Sequence, residues 1–195
     1  MRSTMAKAAE NRDQIIEEAA RQFRARGFAG IGVADLMRRV GLTHGGFYTH
    51  FRSKAELMDL ACRRAVSTML ADWRTRVEMA PEDPIGAIVR PYLSTAHRDR
   101  PDTGCLMATL GPEAAREAEP VRRAVSECLQ DVFDLLAQHM PGDSAAEQRR
   151  QAICLFTTLV GTMVAARAVS DPDLSDELLQ TVADNLARNR AARAL

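Results

Sequence analysis

The chain has 195 residues, of which 46% are apolar and 27% are charged, and its formal net charge is zero. These values argue against a disordered chain and are enough for one large or two small domains with a buried core. We find no run of about 18 apolar residues, so we expect no membrane span. The N-terminus lacks the apolar region of a signal peptide, so we expect a cytoplasmic protein.

The charge is unevenly distributed along the chain. Residues 1–54 contain ten Lys/Arg and five Asp/Glu, a balance of +5, whereas the remainder contains sixteen and twenty-one, a balance of −5. A basic first quarter is expected of a chain whose N-terminal part meets nucleic-acid phosphates. Chance variation of surface charge also produces an excess of this size, so the pattern supports DNA binding only in combination with a motif.

The first predicted helix runs from about Asn11 to Arg26. Its apolar residues recur at helical spacing and form one stripe opposite a charged face: Ile15, Ile16, Ala19, Ala20 and Phe23. Gly27 is expected to end this helix, because glycine adopts the left-handed C-terminal position without strain.

Residues 33–51, VADLMRRVGLTHGGFYTHF, predict two short helices joined by a tight turn. Leu36 and Val40 share one face of the first helix. Gly41 is expected to end that helix in the left-handed conformation.

The second of these helices is expected to start at Thr43, whose hydroxyl would cap it. Phe47 and Phe51 then fall four residues apart and point inward. A helix this short is stable only when it is packed against neighbours, so its other face is available to a partner. A helix-turn-helix whose second helix enters the major groove of DNA has this form.

The segment GLTHGGFYTHFRSKAEL resembles the signature of the TetR family of bacterial transcriptional regulators, with a match over about residues 11–60. Two positions depart from the family pattern: Gly32 stands where Thr is usual, and Met37 where a small Ala is usual. The resemblance implies an all-α protein. Residues 1–54 would be a three-helix helix-turn-helix DNA-binding domain, and residues 55–195 a helical effector-binding and dimerisation domain.

The same resemblance identifies candidate DNA-binding residues. Some match positions that hold phosphates, namely Thr43, Tyr48, His50 and Lys54. His44 and Gly45 match groove-facing positions, and Thr49 lies on the same outer side. Taken alone, Tyr48 would be a half-buried aromatic, and His50 could equally be a solvated histidine. Gly45 and Gly46 each weaken a helix by roughly 1 kcal/mol, which either permits close approach to bases or leaves the helix partly disordered until DNA binds.

Further helices follow in the remainder of the chain. Ser53 and Glu56 predict a capping box, with each side chain on the other's amide, that opens a long helix to about Val77. A helix from Pro84 to about Arg98 should kink or break at Pro91. Three more helices are expected, followed by a frayed basic tail at 187–195: about 120–140, 144–169 and 174–186.

The helix 144–169 is apolar on nearly all sides in its second half, so we expect it to be buried all round. Gly161 within it has two interpretations. It either allows close packing inside one protomer or marks a dimer seam where two backbones approach. The family resemblance favours the second, because it implies a homodimer through the last two long helices, about 144–169 and 174–186.

An effector site is expected in the C-terminal part. Candidate residues for lining a cavity are Met69, Trp73, Tyr92, Cys105, Leu106, Met107, Phe133 and Phe156. A Met or aromatic stripe is more often ordinary core. Because no cluster of Arg or Lys is evident there, a small, fairly apolar effector is favoured over an anionic one.

The four cysteines have no zinc-site spacing, so we expect reduced thiols. Cys105 follows several cations closely in sequence, namely His97, Arg98 and Arg100, which would lower the pKa of its thiol if they were near in space. It is either a redox or electrophile sensor or, as is usual for a free cysteine, a small buried hydrophobe.

The sequence as a whole predicts a ligand-responsive transcriptional regulator that binds double-stranded operator DNA, most simply as a repressor released by its effector. One alternative is a repressor that senses oxidants through Cys105. Another is a helical ligand-binding or enzymatic protein without DNA binding. No catalytic motif, metal site or cofactor site is predicted.

Overall fold

The computed structural model describes residues 2–193, and every regular element in that range is helical, as predicted. Two short 3-10 helices, His44–Thr49 and Pro101–Thr103, lie between the α-helices. The α-helices of the described range are α1 (Arg2–Arg26), α2 (Val33–Arg39), α3 (Lys54–Met79), α4 (Pro84–Tyr92), α5 (Thr95–Arg98), α6 (Met107–Ala114), α7 (Glu119–Ala137), α8 (Ala145–Ala168) and α9 (Pro172–Arg193).

The chain forms two compact units. Unit 1 contains the chain up to Thr68 together with Cys105–Leu129, and unit 2 contains Met69–Gly104 and the chain from Gln130 onward. The long helix α3 contributes residues to both units. This division is by compactness, so the functional boundary between residues 54 and 55 stays a prediction.

The core of unit 1 is built on the predicted stripe of α1. Ile15, Ala19 and Phe23 are at most 1% exposed, and the Phe23 ring packs edge-to-face on Phe28 at 5.3 Å between centroids. Helix α1 begins at Arg2, nine residues before the predicted start at Asn11. The extra residues include good helix formers but no apolar stripe, so the helical pattern could not reveal them.

Both glycine helix ends of unit 1 are as predicted, since Gly27 and Gly41 have φ of +79° and +73°. After α2 the chain forms a Schellman motif. The Leu42 amide donates to the Met37 carbonyl at 2.9 Å, and the Gly41 amide donates to the Arg38 carbonyl at 3.1 Å. The sharp reversal needed between the two short helices is therefore in place.

The capping box at the start of α3 is half as predicted. The Glu56 amide donates to Ser53 Oγ at 3.2 Å, but the Glu56 carboxylate accepts from the Arg52 amide at 2.8 Å instead of the Ser53 amide. Helix α8 is capped in the same way, since the Glu147 amide donates to Ser144 Oγ at 3.2 Å. The Glu56 carboxylate therefore accepts from the Arg52 amide, one residue before the expected Ser53 amide.

In unit 2, the predicted helix from Pro84 to Arg98 is broken, as Pro91 led us to expect. Helix α4 ends at Tyr92, one residue after the proline, and α5 starts anew at Thr95. Ser94 Oγ caps α5 by accepting from the His97 amide at 3.2 Å. Proline lacks the amide that would continue the α4 hydrogen-bond pattern, so the chain turns within the next few residues.

Two arginines fix the short helix α5 within unit 2. Arg167 of α8 donates to the carbonyl oxygens of His97 and Arg98 at 2.7 and 3.0 Å. Arg98 in turn donates to Ser175 Oγ and the Asp176 carboxylate of α9 at 2.8 and 2.5 Å. Charged groups therefore join α5, α8 and α9, because a four-residue helix has too little apolar surface to hold itself in place.

Within the single chain, the prediction that the second half of α8 is buried all round is wrong. One side is buried and includes Leu159 and Met163, both 0% exposed. The other side is exposed and carries small and apolar residues: Ile153, Cys154, Thr157, Thr158, Gly161 and Val164. By length and composition alone α8 could cross a bilayer, with a mean hydropathy of 1.4 over 18 residues. Apolar core helices share this property.

The predicted frayed tail is also wrong in the part that is described. Helix α9 continues through Arg193, well beyond the expected end at Leu186. The sequence ARNRAAR is rich in Ala and Arg, which are good helix formers, and it has no glycine or proline to end the helix. Residues 194–195 of the predicted tail lie outside the described residues.

We expect unit 2 to make the protein less stable at acidic pH. Burial lowers the pKa of His97, assisted by the charge of Arg167, while the hydrogen bond to the Tyr92 carbonyl opposes this shift. The unfolded chain then takes up a proton more readily than the folded one, so stability should fall as the pH drops below about 6.5.

Thermal unfolding at pH 7.5 and pH 5.5 checks this. His97→Asn removes the titrating ring but keeps an N–H donor, and should reduce the pH dependence. Replacement of His139 in the same way serves as the control. An equal pH dependence in wild type and His97→Asn would show that His97 is not responsible.

Candidate nucleic-acid interface

The second element of the motif is a 3-10 helix, His44–Thr49, where the sequence predicted an ordinary α-helix. Two adjacent glycines within six residues weaken the longer-range α-helical hydrogen bonding. Thr43 occupies the N-cap position, but its hydroxyl makes no capping hydrogen bond, contrary to the prediction. The segment is closed by backbone bonds, such as that from the Gly46 amide to the Thr43 carbonyl at 3.0 Å.

The inner side of this segment is held by aromatic packing, as predicted. Phe47 and Phe51 are 1% and 2% exposed, and their rings stack at 5.3 Å between centroids with an interplanar angle of 30°. Arg12 of α1 lies over the Phe51 ring at 5.1 Å and donates to the His50 carbonyl at 3.4 Å. Sequence reasoning missed Arg12, whose contact spans 38 positions.

The outer side is open to solvent. Tyr48 is 66% exposed, and its ring meets those of His44 and Phe47 edge-to-face at 6.1 and 5.2 Å. Four other predicted contact residues are also exposed, namely Thr43, His44, Gly45 and Thr49. His50 is half-buried. We call Thr43, His44, Gly45, Tyr48 and Thr49 the outer surface.

The hydroxyl groups of the outer surface differ in whether they are already hydrogen-bonded within the protein. Thr49 Oγ1 donates to the Gly46 carbonyl at 2.7 Å, so it would have to turn its proton outward to donate elsewhere. Tyr48 is the one exposed residue among the Phe, Tyr and Trp side chains of the described chain. We therefore treat Tyr48 as the leading phosphate-binding candidate on this surface.

Lys54 makes hydrogen bonds inside unit 1, and its assignment as a phosphate contact stays a prediction. Its ammonium donates to the carbonyl oxygens of Phe28 and Ile31 at 2.5 and 2.9 Å, and it lies 5.8 Å from the centre of the Phe23 ring. Two of its three N–H groups are thus used inside unit 1. The sequence shows a cation at the start of α3 but not the carbonyl groups that surround it.

Met37 fits where the family pattern has alanine because Gly46 lies opposite it. Met37 is 0% exposed, and its Cε would lie 3.7 Å from a Cβ added at Gly46. An added Cβ at Gly45 meets nothing within 4 Å. The two adjacent glycines therefore differ: Gly46 faces Met37 within the unit, whereas Gly45 opens to solvent.

The candidate effector residues are divided between the two units. In unit 2, the Trp73 ring lies 6.2 Å from Tyr92 and 6.3 Å from Phe156, which lies 5.9 Å from Phe133. Met69 is half-buried in the same unit. Cys105, Leu106 and Met107 belong to unit 1. Whether any of these residues lines a pocket stays a prediction.

The cysteines of the described chain are free thiols. Cys105 is 2% exposed, and burial raises the pKa of the Cys62 thiol to about 12. A buried thiol is unreactive until the chain around it opens. Cys154 is the exposed cysteine, on the open side of α8. No group of residues suited to hold a metal ion occurs within the described residues.

Comparison with known proteins agrees with this geometry. Residues 15–61 match the family described as "Bacterial regulatory proteins, tetR family". The chain is 47% identical over 58 residues to the HTH-type transcriptional regulator TtgR of Pseudomonas putida, a match that spans 30% of this chain and 28% of TtgR. It is 26% identical over 149 residues to the HTH-type transcriptional repressor NemR of Escherichia coli, spanning 75% of this chain and 72% of NemR.

Solved structures extend the likeness over nearly the whole chain. The reduced form of E. coli NemR superimposes with a TM-score of 0.74 at 22% identity, covering 90% of this chain and 94% of that one. A TetR-family transcriptional regulator from Streptomyces coelicolor gives a TM-score of 0.68 at 26% identity, covering 96% and 94%. The fold is therefore shared over at least 90% of the chain.

Removing the hydroxyl of Tyr48 should weaken DNA binding without loss of fold. A hydrogen bond to a charged group is worth about 1.5–3 kcal/mol, so Tyr48→Phe should lose about tenfold or more in affinity. Titration of an operator duplex by fluorescence anisotropy measures this. Tyr92→Phe, at the other tyrosine, is the control and should bind DNA as wild type does. Equal affinity of Tyr48→Phe and wild type would remove Tyr48 from the interface.

Adding a methyl group to Gly45 should stabilise the free protein and impair DNA binding. Neither Gly45 nor Gly46 has a positive φ, so alanine fits both and should add about 0.4–1 kcal/mol of stability. If the Gly45 backbone approaches bases closely, Gly45→Ala alone should lose affinity. Gly46→Ala is the matched control. Tight operator binding by Gly45→Ala would show that the backbone at Gly45 does not approach the bases closely.

Proposed function

Since this chain belongs to the TetR family of bacterial transcriptional regulators, we propose that it binds operator DNA through its outer surface and represses transcription until an effector binds. The observation that carries the proposal is the exposed segment His44–Thr49, which presents Tyr48 above a buried Phe47–Phe51 pair. An exposed short helix on a packed base is the form in which side chains reach base edges in the major groove.

The charge of the chain supports the same partner. The excess of five positive charges in residues 1–54 favours approach to phosphates, which supply most of the salt-dependent affinity. Proteins of this family bind operator DNA and are not enzymes. We accordingly place the protein in the cytoplasm, where its DNA is.

We place the dimer interface on the exposed side of α8 together with α9. Ile153 and Val164 of α8 and Leu174 of α9 are 36%, 41% and 42% exposed in the single chain. A Cβ at Gly161 would meet nothing within 4 Å, so this glycine is not explained by close packing inside the protomer. A small residue on an exposed apolar helix face suits the close approach of a second copy. A two-fold dimer would place two outer surfaces on two half-sites of DNA.

The effector would act by favouring one spacing of the two outer surfaces over another. Helix α3 runs without interruption from Lys54 to Met79 and contributes residues to both units, so it is the element suited to connect them. An effector shifts such an equilibrium only by its differential affinity for the two conformations. We propose a small, fairly apolar effector that contacts the aromatic residues Trp73, Tyr92 and Phe156.

The alternatives have less support. A sensor at Cys105 would need access for an oxidant to a side chain that is 2% exposed. A normal response to oxidants by Cys105→Ser would exclude it. A protein without DNA binding would leave the exposure of the outer surface without a purpose.

The central experiment is a gel shift with purified protein on the DNA flanking its own gene, repeated from 50 to 300 mM salt. A shifted band that weakens steeply with salt is expected, because each phosphate contact releases counterions. If no band shifts, the protein is unfolded, refolded to remove any bound effector, and tested again. Failure after refolding, on both this DNA and a random duplex pool, would contradict the proposal.

The dimer interface has its own test. Gly161→Leu should leave the protomer folded, because the position is open and leucine favours helix, yet it should block the close approach of a second copy. Sedimentation velocity should show a monomer and the gel shift should be lost. Ser126→Leu adds the same side chain to the exposed side of α7 and should remain a dimer. A dimeric Gly161→Leu would place the interface elsewhere.

A further inference from the structure

The turn between α1 and α2 is held by two charged side chains that come from distant parts of the chain. Glu113 of α6 accepts from the Phe28 amide at 2.7 Å, across 85 positions of sequence. From the start of α3, the Lys54 ammonium donates to the Phe28 and Ile31 carbonyl oxygens. We call Glu113 and Lys54 the turn clamp, because together they bind both polar groups of the Phe28 backbone.

The clamp meets a real need of this turn. Phe28 and Ile31 are 2% and 3% exposed, so the backbone groups beside them lie where water is scarce. A buried backbone group without a partner destabilises the fold, because it gives up its hydrogen bonds to water and gains none in return. Among the described residues, no backbone group pairs with the Phe28 amide or with the Phe28 and Ile31 carbonyls, and the two side chains supply these hydrogen bonds.

Gly27 has no side chain and therefore leaves room for the Glu113 carboxylate. A Cβ at Gly27 would lie only 2.5 and 2.9 Å from the two carboxylate oxygens of Glu113. The glycine therefore serves two purposes at once, the positive φ that ends α1 and the space that admits Glu113. Helix α6 thus reaches the backbone of the turn directly.

The position of this turn governs the outer surface. Helix α2 begins at Val33, directly after the turn, and carries Met37, whose methyl lies against Gly46 of the 3-10 segment. Any displacement of the turn passes through α2 to the segment that bears Tyr48. We propose that Glu113 and Lys54 are positioning residues for DNA recognition, which set the outer surface by holding the turn before α2.

The charge of Glu113 makes the proposal testable by sign. The Glu113 carboxylate lies against the basic segment 1–54 and repels phosphates there, so its simple removal should strengthen DNA binding. If Glu113 positions the turn, its removal should instead weaken specific binding. The inference rests on the proposed DNA-binding function, so the test begins with a duplex selected by the wild-type dimer from a random pool.

Two conservative variants of Glu113 separate the effect of side-chain length from the effect of charge. Glu113→Gln keeps the acceptor oxygen at the same distance but removes the charge, and should bind the selected duplex within about threefold of wild type. Glu113→Asp keeps the charge but is one methylene shorter, and should lose tenfold or more. Glu113→Ala should lose at least as much. Glu117→Ala, the same charge change four residues along α6 and the following turn, is the control and should bind equally or slightly tighter.

Salt dependence tests Lys54 in the same assay. Loss of a phosphate contact reduces the slope of log affinity against log salt by about one. If Lys54 acts by holding the turn, Lys54→Met should lose tenfold or more in affinity for the selected duplex while the slope stays that of wild type. Circular dichroism confirms that each variant is folded.

Each result has a defined meaning. If Glu113→Asp binds as wild type while Glu113→Gln binds tighter, Glu113 acts only through its charge and the inference is overturned. If Glu113→Ala fails to fold, the comparison of Glu113→Gln with Glu113→Asp still tests the proposal. If the wild-type protein selects no duplex at all, the proposed DNA-binding function fails first, and the clamp has no recognition surface to position.

Discussion

The six residues His44–Thr49 cannot hold a helix by themselves, and the construction of unit 1 follows from that constraint. The segment contains two glycines and forms a 3-10 helix, which is seldom stable beyond a few residues. Its conformation depends on burial of Phe47 and Phe51, and on Met37 filling the space opposite Gly46. The residues offered to DNA are thus positioned by apolar packing beneath them, with no stabilising hydrogen bond from the Thr43 hydroxyl.

Charged side chains in this protein serve the backbone as much as the surface. Lys54 and Glu113 satisfy the turn before α2, while Arg167 satisfies the carbonyl groups of α5. Each spans a long stretch of sequence, and each acts where a turn or a very short helix leaves backbone groups without helical partners. In an all-helical chain with tight connections, long polar side chains are the available means of closing such gaps.

The sequence was sufficient for features set by local spacing and by backbone conformation. The α1 stripe, the positive φ of Gly27 and Gly41, the break after Pro91 and the inward Phe47–Phe51 pair all follow from neighbours within a few residues. Features that depend on distant partners were missed. The carbonyl partners of Lys54 lie 23 and 26 positions away, so the sequence around Lys54 does not reveal them. Glu113 gave no signal, since its partner is 85 positions distant.

Helix α8 shows why periodicity alone overestimates burial. Its sequence is apolar on nearly every side, yet one side is exposed in the single chain. An apolar composition indicates that a helix face is buried, but not whether the residues that bury it belong to the same chain. The exposed side carries Gly161 and threonines beside Ile153 and Val164, a mixture of small and apolar residues suited to close contact between helices. The apolar pattern overestimates burial in one protomer but supports burial in a dimer, because a second copy would pack on the exposed side of α8.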